Sequence, residues 1–347
     1  MDGQVRPAGR ARGAKAHGPR VNIRGGWYEL AVLWRMLKKS TACELAIKKD
    51  SWRSQAKPAV PPIAIVYLVI MIATWAGNWP LMKLALGQMP PALFVLLRLV
   101  GSLVVIVPAQ LAAGQPLLPA RGERSGLFWV GQLQIAGFLI CSSIGLAIMP
   151  AGRAIVLAYT MPLWAIPIAL FLWPEPVGRN RVLGAAIGFA GLVLFMNPGL
   201  VDWNNLRVLA GNGLLLLAAM AWALGSCRYR RRSWQTPFGV QTSWQLAVSV
   251  IPAALIGWLG AAGAPVRWSP ALVAIIAYNC IVTTALGYFL WSKVLSMMPA
   301  ATAGQVLTLT PIGGVALSLV IFGGTLSLDV VISIVLIAGG IFVTLRR

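Results

Sequence analysis

The chain is poor in acid and nearly without histidine: of 347 residues, 8 are Asp or Glu and one, His17, is histidine. General acid–base catalysis and metal-assisted hydrolysis need imidazoles, carboxylates or a bound metal beside the reacting atoms. No Asp or Glu lies well inside any apolar run, and the one histidine sits in a polar tail. The four cysteines, Cys43, Cys141, Cys227 and Cys280, have no metal-ligand spacing and read as small core residues. These absences argue against an enzyme and leave no expected metal site or cofactor. They also weigh against proton-coupled efflux of hydrophobic cations, for which an intramembrane carboxylate binds the cation and carries the proton.

Charge of either sign is scarce. Only 11% of the residues are charged and 58% are hydrophobic, whereas a soluble domain is about a quarter charged. The basic excess, 29 Lys and Arg for a formal charge of +21, raises nucleic acid as a partner. Its distribution argues otherwise. The bases crowd the first 57 residues and the short loops between apolar runs, with no basic stripe interleaved with aromatics on a polar fold.

A helix needs roughly 20 apolar residues to cross the hydrocarbon core with every backbone group bonded internally. Ten segments qualify: 63–82, 92–112, 127–148, 151–173, 182–196, 209–227, 240–261, 270–295, 301–322 and 328–345. The fifth is the shortest, and its Gly184, Gly188 and Gly191 ridge suits close helix packing in lipid. Alternating the loops from a cytoplasmic N-terminus puts 24 basic residues inside and four outside, Lys83, Arg153, Arg207 and Arg267, with Arg98 within a helix. Both termini are therefore expected in the cytoplasm of a multi-pass protein of the bacterial inner membrane. Residues 1–60 form a basic, partly amphipathic extension suited to an anionic leaflet. They show no cleaved-signal pattern, and translation from a later start such as Met36 would leave the membrane body unchanged.

The body repeats. Trp75-Ala76 recurs as Trp222-Ala223 at a separation of 147; Met149-Pro150-Ala151 recurs as Met298-Pro299-Ala300, Pro162 as Pro311 and Gly191 as Gly340, each at 149. The units are residues 61–197 and 198–347. With five spans each, the second enters from the opposite side to the first. The expected fold is an all-α integral membrane protein of ten transmembrane helices in two inverted five-helix repeats, a topology suited to alternating access around a central site.

The string Trp75-Ala76-Gly77-Asn78-Trp79 with Lys83, then Pro91 and Arg98, then Ala151-Gly152-Arg153-Ala154 leading to Tyr159-Thr160-Met161-Pro162-Leu163-Trp164, resembles the EamA-like branch of the drug/metabolite transporter superfamily. The resemblance spans residues 60 to 345. It implies a permease for amino acids and their derivatives, other metabolites or drugs, and a cavity lined largely by the third, fourth, eighth and ninth helices. One departure from the pattern is a glutamate after the fourth helix, present as Glu175 but replaced by Gly324 in the second repeat.

An ionisable residue at membrane depth is costly and hence a functional candidate. Arg98 could attract a carboxylate or phosphate on the cargo; the alternatives are snorkelling or binding to helix-end carbonyls. Its repeat-mate is Gln245. Lys83 reads as a snorkelling residue before a cargo contact, and Trp75, Trp164, Trp222 and Trp291, which could wall the cavity, read first as interface anchors or core. Polar side chains on apolar helices supply the other path candidates: Asn78, Tyr159, Thr160, Tyr288, Gln305, Thr308 and Thr310. Pro162 and Pro311 should kink their helices and free the carbonyls near Ala158 and Leu307, placing Tyr159, Thr160, Thr308 and Thr310 on the path. The expected activity is export of a small polar metabolite such as an amino acid or derivative. Multidrug efflux is the alternative, and a non-transporting membrane sensor or structural protein is an alternative of another class. The expected partners are a small-molecule substrate and membrane lipids, with a homodimer left open.

Overall fold

The computed structural model describes residues 61–172, 179–196, 204–260, 265–297, 307, 309–323 and 327–345. Among these, all regular structure is helical. Proline sets the first two starts: α1 (Pro62–Leu86) and α2 (Pro91–Ala112) open on a proline preceded by another, Pro61 and Pro90, in extended backbone. The first helical residue needs no N–H partner, and a proline disfavours helical backbone in the residue before it, so each Pro-Pro pair fixes a boundary. There follow α3 (Arg124–Ile148), α4 (Ala151–Ala158), α5 (Met161–Phe171), α6 (Arg179–Met196), α7 (Leu206–Arg230), α8 (Phe238–Gly260), α9 (Pro270–Met297), α10 (Leu309–Phe322) and α11 (Leu328–Leu345).

Helix stands at the position of every expected span, and among the described residues six helices, α1, α2, α3, α7, α8 and α9, are long and apolar enough to cross a membrane. The tail of residues 1–60, Glu175, Gln305, Thr308, Gly324 and the Met298-Pro299-Ala300 repeat lie outside the described residues. The fourth span differs from expectation: it is not one kinked helix but two. α4 ends at Ala158, Tyr159 and Thr160 leave the helix, and α5 restarts at Met161 with Pro162 at its second position. A proline in a first turn removes no hydrogen bond, so the break falls two residues before the proline. Pro311 likewise sits in the first turn of α10.

Two features follow the repeat that composition did not reveal. Within α3, Gly131–Gly137 is wound as π-helix, and within α9 so is Asn279–Leu286, 148 residues on at its start. π stretches are rare and gather at functional sites. The helix crossing each stretch is also repeat-related: α2 packs on that of α9, and α8 on that of α3. Among the described residues the pairing of α6 with α11 is the most extensive, and it follows the glycine ridge. A Cβ on Gly340 would lie 2.5 Å from the Gly184 carbonyl oxygen and the Gly188 nitrogen, so the backbones touch where only glycine fits.

The loops at opposite helix ends pair in the same repeated sense but with different chemistry. The Arg267 N–H donates to the Gln88 carbonyl at 2.9 Å and the Ser269 hydroxyl to Gln88 Oε1 at 2.7 Å. At the other end the buried Glu123 carboxylate accepts from the Gln235 N–H at 2.8 Å, the Thr236 N–H at 3.0 Å and the Thr236 hydroxyl. Burial alone would raise the Glu123 pKa, but the donors on Gln235 and Thr236, with Arg232 nearby, hold it below the ordinary carboxylate value.

Candidate functional site

The helices surround a narrow cavity of about 30 Å³. Its wall is built mainly from α1, whose Trp75, Asn78, Trp79 and Met82 follow the 3–4 residue spacing of one helix face. Arg98 of α2, Phe138, Leu139 and Ser142 of α3, Tyr159 and Met161 at the break, Trp222 of α7, and Thr283 and Tyr288 of α9 complete it. The repeat partners Trp75 and Trp222 meet edge to face, 5.8 Å between ring centroids at 89°, which marks the join between the halves. Tyr288 lies 5.8 Å from Trp222, and Tyr159 lies 6.1 Å from Trp79. The two tryptophans are part of the buried core, as preferred from sequence, and also line the cavity, the other reading they allowed.

Among the described residues Arg98 carries the only charge on this wall, and it is 4% exposed. It neither snorkels nor caps a helix end. Its Nε donates to the Thr284 hydroxyl, its Nη2 to the Thr283 hydroxyl at 3.3 Å, and its Nη1 to the Met82 sulfur at 3.6 Å. Thr283 and Thr284 belong to the π stretch of α9, so the local winding sets two adjacent hydroxyls before one guanidinium. Among the described residues no carboxylate pairs with Arg98. A buried cation without an anion is expensive, by several kcal/mol after relaxation, and this one faces a cavity.

Of the residues expected on the path, Asn78, Arg98, Tyr159 and Tyr288 share this cavity. Thr160 and Thr310 are buried beside it and do not line it. The Thr160 hydroxyl donates to the Leu157 carbonyl at 2.7 Å and accepts from the Trp164 indole at 3.2 Å, so it closes the α4–α5 break. Gln305 and Thr308 lie outside the described residues. Lys83 does not snorkel into open water; its Nζ donates to the carbonyls of Leu146, Ala147 and Met149 at 2.8, 3.1 and 2.8 Å, a cation on the exposed carbonyls of the α3 C-terminus. Gln132 and Gln134 bond other helices, through the Val248 carbonyl and the Ser226 hydroxyl. Met82, Phe138 and Met161 were missed because an apolar residue on an apolar helix carries no sign of the face it occupies.

A membrane body in repeated halves, helical throughout its described residues and folded around a cavity lined by the buried cation Arg98, defines a carrier of small molecules. The EamA-like transporter family model matches residues 62–197 and 209–346, one match to each repeat, and the chain belongs to that family. Its relatives are transporters. It is 25% identical over 285 residues to the "Probable amino-acid metabolite efflux pump" of Salmonella typhimurium, covering 79% of this chain and 92% of that one. The protein of the same description in Escherichia coli is 24% identical over 288 residues, covering 80% and 93%. The uncharacterized transporter YoaV of Bacillus subtilis is 21% identical over 276 residues, covering 80% and 92%. A solved crystal structure shares the fold with a TM-score of 0.62 at 21% identity, covering 82% of this chain and 96% of its own.

Proposed function

We propose that this transporter exports a small polar metabolite bearing an acidic group, an amino acid or a derivative, across the bacterial inner membrane. In this reading its ten helices form two inverted halves with both termini cytoplasmic, and the halves rock about the Trp75–Trp222 contact to open the cavity to either side in turn. The observation that carries the substrate class is Arg98, a buried guanidinium at the cavity wall hydrogen-bonded to hydroxyls and a thioether and, among the described residues, to no anion. A cargo carboxylate would pair with it in a water-poor site, where charge-assisted bonds are roughly twice as strong as neutral ones. The efflux pumps of S. typhimurium and E. coli, named for amino-acid metabolites, point the same way.

The aromatic wall of Trp75, Trp79, Tyr159, Trp222 and Tyr288 favours a second reading, efflux of larger organic solutes. Counterflow in reconstituted vesicles separates these. Vesicles loaded with unlabelled amino acids should accumulate the labelled compound through the wild-type chain, and uncharged aromatic drugs should compete weakly. Binding without exchange would instead mark a sensor. Extracellular metabolites unchanged on overexpression, with no counterflow of any amino acid, would overturn the proposal.

A further inference from the structure

Met82 is placed oddly for a core methionine. Two strong donors converge on its sulfur: Arg98 Nη1 at 3.6 Å and Asn78 Nδ2 at 3.0 Å. A thioether is a weak acceptor, whereas a guanidinium carries five N–H donors and normally spends them on carboxylate or phosphate oxygens. The other acceptors of Arg98, Thr283 and Thr284, are neutral and leave part of its donor set unengaged. Asn78, Met82 and Arg98 are all more than nine-tenths buried and line the same cavity. Asn78 Oδ1 is buried too and has no partner. A cationic donor, an amide donor and an orphaned acceptor thus stand around one polarizable, unbranched side chain that rotates about three bonds.

Resting on the reading that this cavity binds cargo, the geometry points to Met82 as a displaceable occupant of a carboxylate site: the acidic group of the cargo enters between Arg98 and Asn78 by pushing the Met82 sulfur aside. One carboxylate has lone pairs enough to accept from both donors at once. A cargo N–H beside that carboxylate then reaches Asn78 Oδ1. The class so defined is an α-amino acid or a close relative with an acid and an N–H donor on neighbouring atoms. An amide analogue lacks the anion, and a simple organic acid lacks the donor. In the empty carrier Met82 keeps both donors partly engaged, so the cation is never fully bare while the cavity changes sides.

Thermal unfolding of the purified full chain in detergent tests the site without requiring transport. Met82→Glu supplies the missing carboxylate from within and should raise the unfolding midpoint by about 3 °C or more, while lowering amino-acid counterflow about tenfold or more, because an attached anion outcompetes a free one. Adding Arg98→Met to Met82→Glu should remove the gain. Met82→Ala opens the space for a free carboxylate: acetate should raise its midpoint above that in chloride of equal ionic strength, more than it does for wild type. The Met82→Ala, Arg98→Met double variant should show no such response. A lowered midpoint for Met82→Glu together with no acetate response in Met82→Ala overturns the proposal, as does an acetate response that survives loss of Arg98. Wild-type counterflow intact beside a destabilised Met82→Glu and an acetate-insensitive Met82→Ala removes the carboxylate site and leaves transport standing; a stabilised Met82→Glu with no wild-type counterflow does the reverse.

Discussion

The crossing of α2 on α9 and the crossing of α8 on α3 are the same joint built twice. In the first, the Ser102 hydroxyl donates to the Arg98 carbonyl one turn back at 2.6 Å and to the Cys280 carbonyl at 2.9 Å. In the second, Ser249 donates to the Gln245 carbonyl at 2.7 Å and to the Gly131 carbonyl at 3.0 Å. Each serine reaches into a π stretch, where the altered winding leaves carbonyls in need of donors. The contact beneath is reversed: Gly101 on α2 receives Cys280 of α9, whereas Val248 on α8 fills the space over Gly131 of α3. One turn along, the joints part in function. Arg98 puts a cation on the cavity wall, while Gln245 does not line the cavity and keeps a buried Nε2 without a partner. The scaffold is duplicated while the charge is not: the cation stands on one joint within a frame both halves share.

Replacing the unlike residues should break this comparison hardest. Arg98→Met should reduce counterflow by about 100-fold or more, the scale expected when a buried charge pair is lost; Gln245→Met should change it less than about threefold, since surface area and not charge is altered. Equal losses in the two variants would mean that neither joint is specialised. Next come the reversed contacts. A Cβ on Gly131 would meet backbone, the Gln245 carbonyl oxygen at 2.8 Å and its Cα at 3.0 Å, so Gly131→Ala should destabilise by about 3 kcal/mol. Gly101→Ala meets only the Cys280 side chain and should cost about 1–2 kcal/mol. Cys280→Gly should restore Gly101→Ala, while no side-chain trimming restores Gly131→Ala; unfolding midpoints of the four proteins decide it.

The shared residues should respond alike. Ser102→Ala and Ser249→Ala should each cost about 1 kcal/mol, within about 0.5 kcal/mol of one another, and a large inequality would show that the two joints are not energetic equivalents. The smallest effect concerns the loop pairs. Because the Glu123 pKa is depressed in the fold, its stabilising contribution is complete above the ordinary carboxylate value of 4.5 and is lost as the pH falls through the lower folded value. Glu123→Gln should flatten that acid limb of the stability curve, whereas Ser269→Ala, at the equivalent loop pair, should leave its shape unchanged.

Much of this architecture was legible before folding. The spans and the two-unit repeat lie in local hydropathy and in register matches such as Trp75 with Trp222. Arg98 stood out as a charge inside an apolar run, but the sequence left snorkelling and binding to helix-end carbonyls as open as a functional role. The position of the break was not legible: Pro162 announces a departure from helix, but the chain breaks at Tyr159 and Thr160, where the Thr160 hydroxyl and the Trp164 indole close the gap. The π stretches were not read from the sequence; in the fold each is crossed by a helix from elsewhere in the chain. Met82 was invisible because whether it meets lipid, core or a guanidinium depends on how α1 and α2 face one another.

Sequence alone settled that the chain lives in lipid, where it runs as helix, and that it was built by duplication, because each follows from solvent chemistry and from residues counted along one dimension. Only the tertiary structure decided that Arg98 meets two threonine hydroxyls and a sulfur instead of a carboxylate. Partners come from helices some 186 residues apart in sequence, and the free energy of a buried charge is fixed by what surrounds it in space.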